Sequence, residues 1–134
     1  MKTLIVEDDF ISRKVMQKLL SVHGETEIAV NGKEAIEAFK SAREAGAPYD
    51  LICLDIMMPE LNGLEVLQKI RDLESTDGVG GLSGVKIIMT TGLGDKQSIL
   101  AAFRTGCEAY LMKPVDPRKV NDKLLELGLI RQSL

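Results

Sequence analysis

Five short apolar runs, rich in β-branched residues, recur along the chain at residues 3–6, 27–30, 50–54, 85–89 and 109–112. Each is followed by a longer stretch in which apolar residues fall three and four apart, the period of a helix with one buried face. The first such stretch carries Ile11, Val15 and Leu19; the second carries Ala35, Ile36, Phe39 and Ala42. The third carries Leu64, Leu67 and Ile70, the fourth Ile99, Ala102 and Phe103, and the last Val120, Leu124 and Leu127. Start signals agree with this division. Asn31 and Asn62 each stand three residues before a glutamate (Glu34, Glu65), the spacing of a capping box, and Asp116 precedes Pro117, an N-cap before proline in the first helical position. Gly24, Gly46, Gly106 and Gly128 stand where those helices should stop.

Strands one, three and four are apolar nearly throughout, as expected of strands covered by helices on both faces. Alternating strands and helices predict a doubly wound parallel α/β sheet. The polar, glycine-rich segment 74–84 reads as a loop ahead of the fourth strand, because neither side of it could hold a core alone. Residues 1–134 are therefore expected to form one domain, with nothing left over for a second.

Composition narrows the picture without changing it. Of the 134 residues, 45% are hydrophobic and 28% charged, and the net charge is −3. That balance suits a folded domain and gives no bulk electrostatic pull toward nucleic acid. No apolar run approaches the roughly 20 residues that span a bilayer, so no membrane insertion is expected. The first apolar stretch ends at once in Glu7, Asp8 and Asp9, unlike a secretion signal. Cys53 and Cys107 have no metal-like spacing and read as reduced thiols, which places the protein in the cytoplasm.

The chemistry lies in where the polar residues fall. The first strand runs into Glu7, Asp8 and Asp9, the third into Asp55, the fourth into Thr90 and Thr91, and the fifth into Lys113. In an open parallel sheet these positions share one rim, at the carboxyl ends of the strands, where such folds bind ligands. Two carboxylates about 4 Å apart repel by about 4 kcal/mol at an effective dielectric near 20, so Asp8, Asp9 and Asp55 together call for a cation. Mg2+ (or Mn2+) suits them, being held by a few carboxylates, water and phosphate oxygens. Lys113 and the Thr91 hydroxyl suit a phosphoryl group, and a carboxylate can itself accept one as an acyl phosphate. Taken singly, each residue has a plainer reading. Asp8 and Asp9 could cap the first helix, Asp55 could be a loop residue, Lys113 a surface charge and Thr91 a strand-end hydroxyl. Tyr110 could be half-buried packing, and the Met57 and Met58 side chains could be core filler.

Four stretches carry a family likeness: LIVEDDF at 4–10, DIMMPELNG at 55–63, MTTG at 89–92 and AYLMKPV at 109–115. In order and spacing they resemble the receiver domain of two-component response regulators, of the CheY-like, single-domain kind, over essentially the whole chain. The resemblance implies a flavodoxin-like (βα)5 fold with strand order 2-1-3-4-5. It implies Asp55 as phosphoacceptor, with Asp8, Asp9, Asp55 and the backbone carbonyl of Met57 holding the metal. It further implies Thr91 as a switch hydroxyl, Lys113 as the phosphate-pairing lysine, Tyr110 as the switch aromatic, and a cis peptide between Lys113 and Pro114.

The expected activity is that of a stand-alone receiver. A sensor histidine kinase or histidine phosphotransfer protein supplies the phosphoryl group, and the signal passes to a separate protein through the face of helix 4, strand 5 and helix 5. A phosphorylation-linked homodimer is an open alternative. Met57 and Leu93, two residues after Asp55 and Thr91, are apolar where the family often has polar side chains, so neither can orient an attacking water and a long-lived acyl phosphate is expected. The competing reading is a Mg2+-dependent phosphatase or hydrolase using Asp55 or Asp9 as nucleophile. A flavin-binding fold is disfavoured because Glu7, Asp8 and Asp9 would repel a flavin phosphate.

Overall fold

The computed structural model describes residues 1–78, 84–92 and 94–132. Five strands alternate with five helices: β1 (Lys2–Val6), α1 (Phe10–Ser21), β2 (Glu25–Ala29), α2 (Gly32–Glu44), β3 (Leu51–Asp55), α3 (Gly63–Thr76), β4 (Lys86–Thr91), α4 (Lys96–Thr105), β5 (Ala109–Met112) and α5 (Pro117–Glu126). All neighbouring pairs are parallel, in the order β2-β1-β3-β4-β5. This is the flavodoxin-like arrangement expected from the sequence.

Side-chain alternation along the strands divides the core in two. Leu4, Val6, Ile52, Leu54, Ile87 and Met89 face α2, α3 and α4, where Phe39, Val66, Leu67, Ile70 and Ala102 meet them. Ile5, Leu51, Cys53 and Ile88 face α1 and α5, against Met16, Leu20, Val120 and Leu124. Each fully buried leucine or isoleucine contributes about 1.5–3 kcal/mol, so the central strands carry much of the stability. Among the described residues no helix is long and apolar enough to cross a membrane.

The caps follow the sequence closely. Asn62 and Glu65 form a reciprocal capping box on α3. Asn31 caps α2 through the Glu34 N–H, while the Glu34 carboxylate reaches the Val30 N–H one residue further out. Asp116 caps α5 ahead of Pro117. The four glycines at helix ends all carry positive φ.

Two helices bury only part of the apolar stripe that their spacing marks out. In α1 the buried residues are Met16 and Leu20, whereas Ile11 and Val15 are 71% and 42% exposed and Leu19 is only partly covered. Ile11, Val15 and Leu19 lie beside Met16 and Leu20 on one broad apolar arc, and only the sheet decides which part turns inward. In α4 only Ala102 is buried, and Phe103 is exposed. The segment 74–84 also differs from expectation at its start: α3 runs on to Thr76, and Glu74 is buried rather than looped out. An arginine explains this. Arg71 pairs with Glu74 at 2.7 Å and Glu108 at 3.0 Å and donates to the carbonyls of Val85 and Gly106. The Glu74 carboxylate in turn accepts the Val85 N–H at 2.7 Å, so charged groups satisfy the backbone where β4 begins. Residues 79–83 lie outside the described residues.

Candidate functional site

Strand register assembles the site. Val6 of β1 lies opposite Leu54 of β3, so Glu7 and Asp55 leave the sheet side by side. Asp55 lies opposite Thr90, and Thr91 opposite Met112, which brings β4 and Lys113 to the same rim. Four consecutive strand ends in the sheet thus deliver residues that are remote in the chain.

At the centre, the Lys113 ammonium sits 2.5 Å from Glu7 Oε1 and 3.2 Å from Asp55 Oδ2. Glu7 and Asp55 are each 2% exposed, whereas Asp8 is open to solvent. The other Asp55 oxygen accepts the Met57 N–H at 3.2 Å. Burial pushes the Glu7 carboxyl above its ordinary range; the neighbouring Asp55 adds to the rise and Lys113 offsets part of it. Burial alone would lower the Lys113 ammonium, but Glu7 and Asp55 outweigh it and hold the pKa above the ordinary lysine value. The Lys113–Pro114 peptide is cis, as expected.

Glu7, Asp8 and Asp55 each place a carboxylate oxygen within 4.8 Å of the other two. Three acids facing one lysine leave an excess of negative charge, and an all-oxygen donor set fits a hard divalent cation such as Mg2+. Glu7 belongs to this group and was not singled out from the sequence as a ligand. Asp9, which was, does not join it: its carboxylate accepts the Ser12 N–H at 2.8 Å as the N-cap of α1, and that bond holds its pKa below the ordinary aspartate range. The signal that separates the two is positional. Asp9 immediately precedes the first helical residue, where an aspartate serves the helix end, while Glu7 is the first residue after the strand and so falls beside Asp55. Arg13 steadies the turn between them, donating to the Glu7 and Asp8 carbonyls at 3.3 Å.

The loop after β3 is held close to the strand. Gly63, which opens α3, donates its N–H to the Ile56 carbonyl at 2.9 Å, and a Cβ there would stand 2.2 Å from the Asp55 carbonyl oxygen. No side chain fits, so this glycine lets α3 approach the back of Asp55. Met57 is 56% exposed at the rim. Leu93, the other apolar position noted in the sequence, lies outside the described residues.

Thr91 is buried at the end of β4, and its carbonyl accepts the Lys113 N–H at 2.8 Å. Tyr110 is partly buried on β5 and donates its hydroxyl to Met112 Sδ at 3.4 Å. Burial raises its phenol pKa and Asp95 adds to the rise, while a hydrogen bond with Thr91 pulls the other way. Thr91 and Tyr110 are therefore neighbours, one bonded layer out from the acids.

A parallel α/β sheet with buried acids and a lysine at its carboxyl rim is suited to an anionic group held together with a cation. Residues 3–125 match the response regulator receiver domain family, and the chain belongs to that family. It is 35% identical to the transcriptional regulatory protein ResD of Bacillus subtilis over 120 residues, which is 89% of this chain and 44% of ResD. Among solved structures it resembles the receiver domain of Ssk1 in complex with the histidine phosphotransfer signalling protein Ypd1 of Saccharomyces cerevisiae. That match has a TM-score of 0.82 and 30% identity, covering 96% of this chain and 89% of that one. It also resembles the receiver domain of the histidine kinase CKI1 from Arabidopsis thaliana, complexed with Mg2+ and BeF3−, with a TM-score of 0.81 and 29% identity, covering 96% and 90%. The chain spans less than half of ResD and 7% of the first hybrid histidine kinase among its curated relatives. The family is a signalling domain of two-component systems.

Proposed function

We propose that Asp55 accepts a phosphoryl group from a phosphohistidine on a sensor kinase or phosphotransfer protein, and that the resulting acyl phosphate switches the surface around Tyr110. One observation carries this reading: Asp55 is buried, in contact with Lys113, and beside two further acids. An Asp55 oxygen attacks phosphorus, the bond from phosphorus to imidazole nitrogen breaks, and the imidazole leaves with a proton from solvent. Glu7, Asp8 and Asp55, with the Met57 carbonyl implied by the family likeness, would hold Mg2+ or Mn2+; once bound, such a cation neutralises charge on the transferring oxygens. Lys113 pairs with the new dianion, and the Thr91 hydroxyl turns toward it.

As Thr91 moves, its bond to Tyr110 is lost, and the ring turns inward once its hydroxyl also leaves Met112 Sδ. Phosphorylation thereby biases two arrangements through differential contacts at Thr91, Tyr110 and Lys113. The output face is α4–β5–α5, where Leu100, Phe103 and Met112 are exposed apolar side chains suited to a separate protein partner or to a second copy. The donor face is α1 with the β3–α3 loop, where Phe10, Ile11, Val15 and Met57 are exposed. The Arg13 and Lys14 cations lie over the Phe10 ring, favouring an apolar donor helix with acidic neighbours.

Incubation with phosphoramidate and Mg2+ tests the reading. One phosphoryl group per chain, lost in Asp55→Asn and absent without the metal, supports it. Repeated turnover of a phosphoester would instead establish the hydrolase reading. The stand-alone, cytoplasmic form remains part of the proposal, and the two free thiols suit a reducing compartment. A native polypeptide near 14.7 kDa in the soluble cell fraction supports it, and a longer or membrane-bound one overturns it.

A further inference from the structure

Of the six methionines, Met57 and Met112 are the two with large exposure, at 56% and 45%. Their surroundings differ. Met112 closes β5, and its sulfur accepts the Tyr110 hydroxyl at 3.4 Å. The same side chain lies across the loop between β4 and α4: a Cβ on Gly94 would stand 3.3 Å from Met112 Cε and 3.7 Å from Sδ. One thioether thus touches both the aromatic and the loop that Thr91 feeds.

We propose that Met112 is an oxidation site whose redox state sets how firmly Tyr110 is held at the surface, so that a peroxide-class oxidant weakens the response of the domain to phosphorylation. This rests on the switch role for Tyr110 given above. In the step, a sulfur lone pair attacks one peroxide oxygen, the S–O bond forms and the O–O bond breaks. The departing hydroxide takes the proton from the transferred oxygen and leaves as water. Sulfur is oxidised by two electrons and the peroxide is reduced by the same two.

The product changes the hydrogen bond in kind. A thioether is a weak acceptor, whereas a sulfoxide oxygen is strongly polar and accepts a phenol O–H well. The bond that Tyr110 must break to turn inward becomes stronger. There is room for the added oxygen, because a groove of about 370 Å³ lined by Tyr110, Met112, Pro114 and Lys119 runs along β5 and α5. Methionine has three rotatable bonds and can withdraw slightly to place that oxygen at hydrogen-bonding distance. The sulfoxide is restored by methionine sulfoxide reductases, so the device is reversible.

The chain has two tyrosines and no tryptophan, so Tyr110 is the one emitting indole or phenol side chain left in a Tyr49→Phe background. In that background the protein is titrated with BeF3− and Mg2+ before and after limited hydrogen peroxide, with Met112 oxidation followed by mass spectrometry. Methyl NMR of 13C-methionine in the unsubstituted chain is the second readout, independent of any folding defect from the Tyr49 change. The oxidised protein is expected to need about fivefold more BeF3− for the same Tyr110 response, the ratio given when a weak hydrogen bond is replaced by one of ordinary net strength. Reductase treatment should reverse the change. Met112→Leu should show no peroxide effect, although its Met57 oxidises equally. Oxidised and reduced proteins that titrate alike overturn the inference, as does an equal peroxide effect in Met112→Leu or a Met112 that resists peroxide. A reduced protein whose Tyr110 ignores BeF3− removes the switch reading itself and the inference with it.

Discussion

Lys113 lies closer to Glu7 than to the proposed phosphoacceptor, 2.5 Å against 3.2 Å, and Glu7 is as buried as Asp55 itself. The nearer of the lysine's two buried partners is therefore the first residue after β1, and the aspartate two residues on serves the helix instead. In this chain the acid pair beside Asp55 is Glu7 and Asp8.

That assignment predicts opposite outcomes for neighbouring substitutions. Glu7→Gln and Asp8→Asn should each weaken Mg2+-dependent phosphorylation by tenfold or more, at least the loss of about 10–100-fold seen when only a partner of a metal ligand is removed. Asp9→Ala should leave metal affinity within about twofold and instead lower stability by about 1 kcal/mol through the lost N-cap. Metal titration of the phosphorylation rate, paired with urea unfolding, separates the two effects. Loss of metal affinity in Asp9→Ala with unchanged stability would reverse the assignment.

Met57 predicts a rate. Its side chain is mostly exposed and apolar, so it offers no hydrogen bond to a water approaching the Asp55 phosphate. Met57→Asn should shorten the lifetime of the phosphorylated form by about tenfold, less than the roughly 10²–10⁴-fold of a full general acid or base because an amide only orients the water. Stability should hardly change, because exposed substitutions usually fall within about 0.5 kcal/mol. Decay of labelled protein after removal of the donor measures it. An unchanged decay would mean that the apolar residue at 57 does not set the lifetime.

The strands, the caps and the convergence of Asp55, Asp8, Lys113 and Thr91 on one rim were legible in the residue pattern, and the strand order in the family likeness. Strand ends in a parallel sheet are fixed by register, and register follows from apolar runs buried on both faces. What was not legible turns on choices that local pattern leaves open. Ile11 and Met16 sit on one apolar arc of α1, and only packing on β1 and β2 selects Met16. Glu7, Asp8 and Asp9 are three adjacent acids, and the split between ligand and cap depends on where the helix begins. Arg71 and Glu74 read as an exposed pair on a helix end, because nothing local says that β4 begins and α4 ends against them.

That buried arginine gives the third prediction. Arg71 is bonded to Glu74, Glu108, Val85 and Gly106, with side-chain exposures of 16% for the arginine, 6% for Glu74 and 20% for Glu108. Arg71→Met should cost about 3 kcal/mol, because it leaves carboxylates buried without their cation. Burial already raises the Glu108 pKa, and Arg71 is among the groups opposing that rise. Without the arginine the folded-state pKa of Glu108 rises further, so the folded form binds its proton more tightly than the unfolded chain does. The deficit should therefore be largest at neutral pH and shrink as pH falls toward the ordinary glutamate range near 4.5. Urea unfolding of both proteins across that interval checks the sign; a deficit that grows on acidification contradicts it.

Gly63 tests how tightly the site is tied to the fold. A methyl group there would meet the Asp55 carbonyl oxygen at 2.2 Å and its carbon at 2.8 Å, both backbone atoms that cannot rotate away. Gly63→Ala must move either the start of α3 or the end of β3. If β3 moves, Asp55 shifts relative to Lys113, which follows a different strand, β5. The expected result is a loss of about 2 kcal/mol in stability, comparable with other overpacking changes, together with a fall in phosphorylation rate of tenfold or more. Ordinary helix propensity predicts the reverse, since alanine exceeds glycine by about 1 kcal/mol in a helix interior. A stabilised variant with normal phosphorylation would show that α3 can retreat without disturbing Asp55, and that the close approach is not needed for the site.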